Sequence, residues 1–135
     1  MTVSSERPLP AADPLMQGFW DHARSGRLSV QECIACGSLH FPASPVCPEC
    51  LSDRQRWTAV SGIGRVESWV EFHHAYWPGL ASELPYRVCL VKLREGPLLI
   101  SNPAGAVEIG DEVEAVFEPI TAAISLPKFR RAGRR

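Results

Sequence analysis

The sequence predicts a mainly β protein: an N-terminal helix, a four-cysteine metal ribbon, and five short strands that close into a small barrel. Three observations carry this expectation. A helical apolar face precedes two Cys-x-x-Cys pairs, Cys33/Cys36 and Cys47/Cys50, which are separated by ten residues. After the second pair the apolar pattern changes to a period of two, broken by glycine and proline turns. The twelve prolines and ten glycines among 135 residues require many turns and short elements.

Residues 1–12 read as a flexible leader, polar and proline-containing. Asp13-Pro14 then supplies a helix start, with Asp as N-cap and Pro at the first helical position. Leu15, Met16, Phe19, Trp20 and Ala23 fall on one face, and Gly26 can end the helix in the left-handed conformation. The helical unit is therefore set at 13–27. Gly18 is unfavourable inside it. The ribbon follows at 28–55, with an extended approach from Leu28 to Glu32 and too few apolar groups for its own core.

The barrel is set at 56–122. Its expected strands are Arg56–Ser61, Arg65–Phe72, Tyr86–Leu93, Leu98–Ser101 and the alternating run from Glu112 to Glu118. In the second of these, Val66, Ser68, Val70 and Phe72 share one face and Arg65, Glu67, Trp69 and Glu71 the other. Five antiparallel strands in this length suit a closed barrel, which leaves no exposed sheet edge. Residues 123–135, with five basic side chains and no acid from Ser125 onward, read as a basic tail outside the barrel.

Composition is that of a folded protein, 45% hydrophobic and 21% charged. A formal net charge of -1 gives no global field that would draw nucleic acid or an acidic membrane. No apolar run reaches the roughly 20 residues that cross a bilayer, and the leader lacks the apolar stretch of a signal peptide. The expected location is the cytoplasm. An odd cysteine count with Cys-x-x-Cys spacing agrees with metal-bound thiolates in a reducing compartment.

Zinc takes four ligands in a tetrahedron, with thiolate sulfur at about 2.3 Å. Cys33, Cys36, Cys47 and Cys50 supply all four, and Gly37 lets the chain turn sharply after the first pair. Four thiolates leave no position for water, so the Zn2+ is structural rather than catalytic. Iron in the same sulfur cage and redox-active thiols are the weaker readings. His40 reads as a surface or packing residue. His73 and His74 are adjacent and point to opposite faces of an extended chain, so they do not converge on one metal. Cys89, inside an apolar run, reads as an inert core thiol. Gly62-Ile63-Gly64 precedes a strand, not a helix, and reads as a turn rather than a nucleotide loop. Phe19, Trp20, Trp69, Tyr76 and Trp77 are many large rings for one small domain, and exposed members would mark a binding surface. The tail arginines could pair with phosphates or an acidic protein.

The order of elements resembles the family known as domain of unknown function 35. The resemblance rests on Phe19-Trp20, Gly26-Arg27-Leu28, the segments Gln31 to Gly37 and Pro45 to Cys50, Trp57, Ser61 to Val66, Pro85-Tyr86, Gly110 to Val113 and Pro127-Lys128-Phe129. It implies a rubredoxin-like zinc ribbon joined to a C-terminal OB-fold. It also implies a non-catalytic accessory subunit in a hetero-oligomer with a thiolase-like acyl-CoA enzyme: a thiolase, an acyltransferase or a thiolase-like aldolase of steroid side-chain breakdown. Such a subunit would bind the partner and help shape its acyl-CoA site. The four cysteines are the residues that the family pattern carries over. Partner contacts are expected at Phe19, Trp20, Trp69, Tyr76, Trp77, Phe129, Arg130 and Arg131. A single-stranded nucleic-acid module is the rival reading, because ribbons and OB-folds both serve that role. Glu67, Glu71, Glu112 and Glu114 on the strands oppose it.

Overall fold

The computed structural model describes residue 10 and residues 13–75 and 82–132. Asp13 caps a 3-10 turn, Pro14–Met16, by accepting a hydrogen bond from the Leu15 amide. The turn runs into helix α1, Gln17–Arg24, whose inward face buries Phe19 and Ala23. Gly26, at φ +78°, ends the helix. Gly18 has its own reason. A Cβ there would lie 2.3 Å from Cδ1 of Trp57, so the indole packs directly on the helix backbone. Trp57 Nε1 also donates to the Leu15 carbonyl at 3.3 Å.

Three strands form the ribbon's sheet: β1 (Ser29–Cys33), β2 (Leu39–His40) and β3 (Gln55–Ala59), in the order β2-β1-β3. This corrects one expectation. The run from Arg56, expected in the barrel, lies in the ribbon instead: all of β3 pairs with β1, from Ser29 opposite Ala59 to Cys33 opposite Gln55. The periodicity of a strand does not name its neighbour, and here Trp57 is drawn to the helix while Glu32 and Arg56 pair across the ladder at 3.0 Å.

The closed barrel consists of β4 (Ile63–Phe72), β5 (Tyr86–Leu93), β6 (Leu98–Pro103), β7 (Glu112–Pro119) and β8 (Ser125–Arg131), in the order β4-β5-β6-β8-β7. This is the arrangement of an OB-fold. Gly64 is demanded by packing: a Cβ would meet Val91 Cγ1 at 2.6 Å and the Lys92 carbonyl at 2.7 Å. The expected single apolar face of β4 is also corrected. A bulge between Val66 and Ser68 shifts the register, so Val66 is buried while Val70 is 54% exposed. Trp69 packs on the core instead. The bulge is held by the loop before β7: the Gly110 amide donates to the Val66 carbonyl and the Val66 amide to the Asp111 carbonyl.

The tail is the largest correction. Residues 125–131, expected outside the barrel, form β8, which closes it between β7 (antiparallel) and β6 (parallel). Phe129 is 0% exposed in the core. The basic residues follow from the pairing, since Glu114 faces Arg130 at 2.7 Å, Glu118 faces Lys128 at 2.5 Å, and Asp111 faces Arg131 at 3.0 Å. The strand looked like a solvated terminus because its partner charges lie on another element.

One core joins all parts. It runs from Phe19 through Leu28 and Val30 of the ribbon to Val66, Cys89, Val91, Leu93, Leu99, Val107, Val113 and Phe129 of the barrel. Among the described residues no helix is long and apolar enough to cross a membrane.

Candidate metal centre and surrounding surface

The two cysteine pairs sit on two turns of the same construction. Gly37 N donates to Cys33 O and Leu51 N to Cys47 O, both at 2.8 Å, and residue 37 or 51 then adopts a positive φ of 81° or 67°. A second pair of bonds completes each turn, from the Cys33 amide to Ser38 O and from the Cys47 amide to Ser52 O. Glycine takes this conformation readily, whereas leucine is strained in it. The turns are anchored to the fold because Cys33 ends β1 and the Ile34 amide donates to the Arg54 carbonyl.

This geometry gathers four sulfurs. The Sγ atoms of Cys33, Cys36, Cys47 and Cys50 all lie within 4.8 Å of one another, with Cys33–Cys50 at 3.6 Å and Cys36–Cys47 at 3.7 Å. Backbone amides already face them, Cys36 N at 3.4 Å from Cys33 Sγ and Glu49 N at 3.3 Å from Cys47 Sγ. The Cys36 amide holds the Cys33 thiol below its usual value. The Ser38 hydroxyl, 3.3 Å from Cys47 Sγ, is the main cause lowering that thiol to about 6, against the opposing effect of burial. At Cys50 the Ser52 amide favours the thiolate, but the neighbouring cysteines and burial outweigh it and push the group up to about 12. Amide and hydroxyl donors thus already stabilise negative charge on Cys33 and Cys47, and binding of a soft divalent cation would release the protons that remain on the four thiols. Donor type, number and convergence fit Zn2+, and bound zinc would brace the two turns.

The other expected site residues scatter. Phe19 is 3% exposed, and its ring meets Trp20 at 4.9 Å, Phe41 at 5.2 Å and Trp57 at 5.9 Å. Phe19 and Phe129 are therefore core residues, which corrects their placement on a partner surface. Trp20 is half-buried beside Phe19. Trp69 is half-buried under the Arg87 guanidinium, 4.2 Å from the ring centroid. Arg130 and Arg131 reach solvent but are engaged by Glu114 and Asp111. Tyr76 and Trp77 lie outside the described residues, as do Arg134 and Arg135.

His40 Nε2 meets Gln31 Oε1 at 2.8 Å, away from the cysteine cluster, in agreement with a packing role. Cys89 is 1% exposed, and burial pushes its thiol up to about 11, which makes it a poor nucleophile. Sequence reasoning missed Ser38 as a sulfur partner, Phe41 as part of the aromatic junction, and Leu51 as the counterpart of Gly37. The Leu51 signal was available, since Cys33 to Ser38 and Cys47 to Ser52 share the pattern Cys-x-x-Cys-x-Ser.

Comparison with known proteins places this architecture. Residues 20–55 match the family description "ChsH2, rubredoxin-like zinc ribbon domain", and residues 57–118 match "ChsH2, C-terminal OB-fold domain". A "DUF35 domain-containing scaffold protein" of Methanothermobacter thermautotrophicus is 32% identical over 75% of this chain and 80% of its own. A "Probable enoyl-CoA hydratase alpha subunit" of Thermomonospora curvata is 36% identical over 93% of this chain, which spans only 40% of that relative's length. Among solved structures, a chain described as "Ltp2-ChsH2(DUF35) aldolase" superposes with a TM-score of 0.83 at 35% identity, covering 93% of this chain and 100% of that one.

Proposed function

The chain belongs to the DUF35 family of zinc-ribbon and OB-fold proteins, and from that premise we propose that it is a non-catalytic accessory subunit of a thiolase-like acyl-CoA enzyme. It would bind and support the enzyme, a thiolase, an acyltransferase or a thiolase-like aldolase, and help shape the acyl-CoA site. The observation that carries this reading is the superposition over the full length of the chain in an Ltp2-ChsH2(DUF35) aldolase. The names "scaffold protein" and "alpha subunit" among relatives support it.

The physical layout points the same way. A four-thiolate zinc has no open position to bind substrate or activate water. The basic side chains of β8 are met by carboxylates of β7 and the loop before it, which leaves that strand poorly suited to a phosphate backbone. Zinc, when bound, supplies no reaction step and holds Cys33, Cys36, Cys47 and Cys50 together. Those turns in turn hold β1 and β3, and β3 holds Trp57 against the helix.

The test is co-expression of the tagged chain with a thiolase-like enzyme of the same organism. Co-purification in fixed stoichiometry and raised enzyme activity are expected. An enzyme that neither co-purifies nor changes its turnover removes the proposal.

A further inference from the structure

The outer wall of the barrel is divided into two unlike halves. On one half, β7, β8 and the adjoining loops carry paired charges: Arg94–Glu112 at 3.6 Å, Arg130–Glu114, Lys128–Glu118 and Arg131–Asp111. That is how a barrel wall meets water. The other half is built from β4, β5 and β6, and the centre of its outer face is apolar, with Ser68 opposite Leu90 and the Arg65–Lys92 pair at one rim. Val70 lies opposite Val88, Leu90 opposite Ile100, and Lys92 opposite Leu98. Ile100 is 73% exposed, Val70 54% and Leu98 46%. Their alternates Cys89, Val91 and Leu99 fill the core, so the outward row is surplus to the barrel's own packing. The bulge in β4 is what turns Val70 outward beside Val88.

The wall continues into a groove. Ile100 and Asn102 of β6, Leu126 and Pro127 of β8, and Met16 and Trp20 at the helix line a cleft of about 220 Å3. That is smaller than the roughly 300–1,000 Å3 of small-molecule sites, and suits one large apolar side chain. A flat apolar wall beside an anchor pocket is the layout of a protein interface core.

We propose that this β4-β5-β6 wall with its groove is where a folded partner subunit docks, through an uncharged apolar face that inserts one large side chain between α1 and β6. The inference rests on the accessory-subunit reading and says which surface serves it. Charge selects the occupant. The ionisable groups of this wall gather at one rim, where Arg65 lies opposite Lys92: Arg65 is met by Glu67 at 3.3 Å and Lys92 donates to the Gly96 carbonyl, whereas the opposite half pairs its charges with one another. A nucleic acid or acidic peptide would meet only the Arg65–Lys92 rim, with Arg65 already paired to Glu67, while an apolar protein face covers the uncharged centre.

The experiment uses the full chain co-expressed with the same thiolase-like enzyme. Ile100→Glu and Val70→Lys are exposed substitutions expected to keep the fold and the zinc content while weakening the complex by about a hundredfold. Trp20→Ala should weaken it through the groove, and Glu112→Lys, on the charged half, should leave it within about threefold. If the wild-type complex forms and Ile100→Glu binds equally well, the docking wall lies elsewhere while the accessory reading stands. If no wild-type complex forms, both fall. A concentration-dependent dimer of the chain alone, abolished by Ile100→Glu, would assign the wall to a second copy and overturn the proposal. So would calorimetric binding of octanoyl-CoA to the chain alone that Trp20→Ala removes.

Discussion

Two backbone positions show how little freedom single residues have here. Gly18 sits in a helix, where alanine is ordinarily better by about 1 kcal/mol. Its missing Cβ is what lets the Trp57 indole lie on the helix backbone. Gly18→Ala is therefore expected to destabilise by about 1–3 kcal/mol in urea unfolding, because overpacking outweighs propensity. Leu51 is the opposite case. It is a leucine at φ 67° and 73% exposed, where the equivalent residue of the other turn is Gly37. Leu51→Gly should raise stability by up to about 1 kcal/mol by relieving left-handed strain, with metal content unchanged. A loss of stability would mean that the leucine side chain packs usefully. The Gly18–Trp57 contact was invisible in the sequence, since it joins residues far apart in the chain. Leu51 was legible in the repeat of the two cysteine turns.

At the scale of elements, β8 and the ribbon depend on different supports. β8 is held by pairing on both sides and by the buried Phe129 ring. Truncation after Ile124 should abolish the folded barrel, and Phe129→Ala should cost about 3–5 kcal/mol, read by denaturant unfolding. A barrel that survives truncation with an unchanged melt would return the segment to the role of a tail. The loop before β7 has a pH dependence of known sign. The Glu108 amide, with Arg131 beside it, holds the Asp111 carboxyl below its usual 3.8. A depressed carboxyl stabilises the fold above its ordinary pKa, and that contribution is lost as pH falls through the folded value. The difference in melting temperature between wild type and Asp111→Asn should thus be full at neutral pH and close below about pH 4. The ribbon depends on its ion. Cys33→Ser or Cys47→Ser should lose zinc, measured by metal analysis, together with the β1-β3 sheet.

The whole molecule has one core, reached by the helix at Phe19, the ribbon at Leu28 and Val30, and the barrel at Val91 and Phe129. Ribbon and barrel are accordingly expected to unfold in one transition, with tryptophan fluorescence and far-ultraviolet dichroism coincident. Chelation should lower that single melting temperature rather than open a separate early step. Two resolved transitions would mean that the shared cluster is too weak to couple them.

The sequence by itself determined the chemistry that is local: the capped helix, the four thiolates and their turns, the inert Cys89, and strands that alternate with period two. Spacing along the chain sets these directly, so the residues alone carry them. Tertiary structure decided everything that depends on which strand meets which. It placed Arg56–Ala59, expected in the barrel, in the ribbon's sheet and brought Ser125–Arg131 into the barrel. It also turned β4 at the bulge, so that Val70 faces out and Trp69 packs inward. Periodicity reports that a residue has a buried side and an exposed side. It does not report the partner, because hydrogen-bond pairing joins residues whose separation in sequence leaves no local trace.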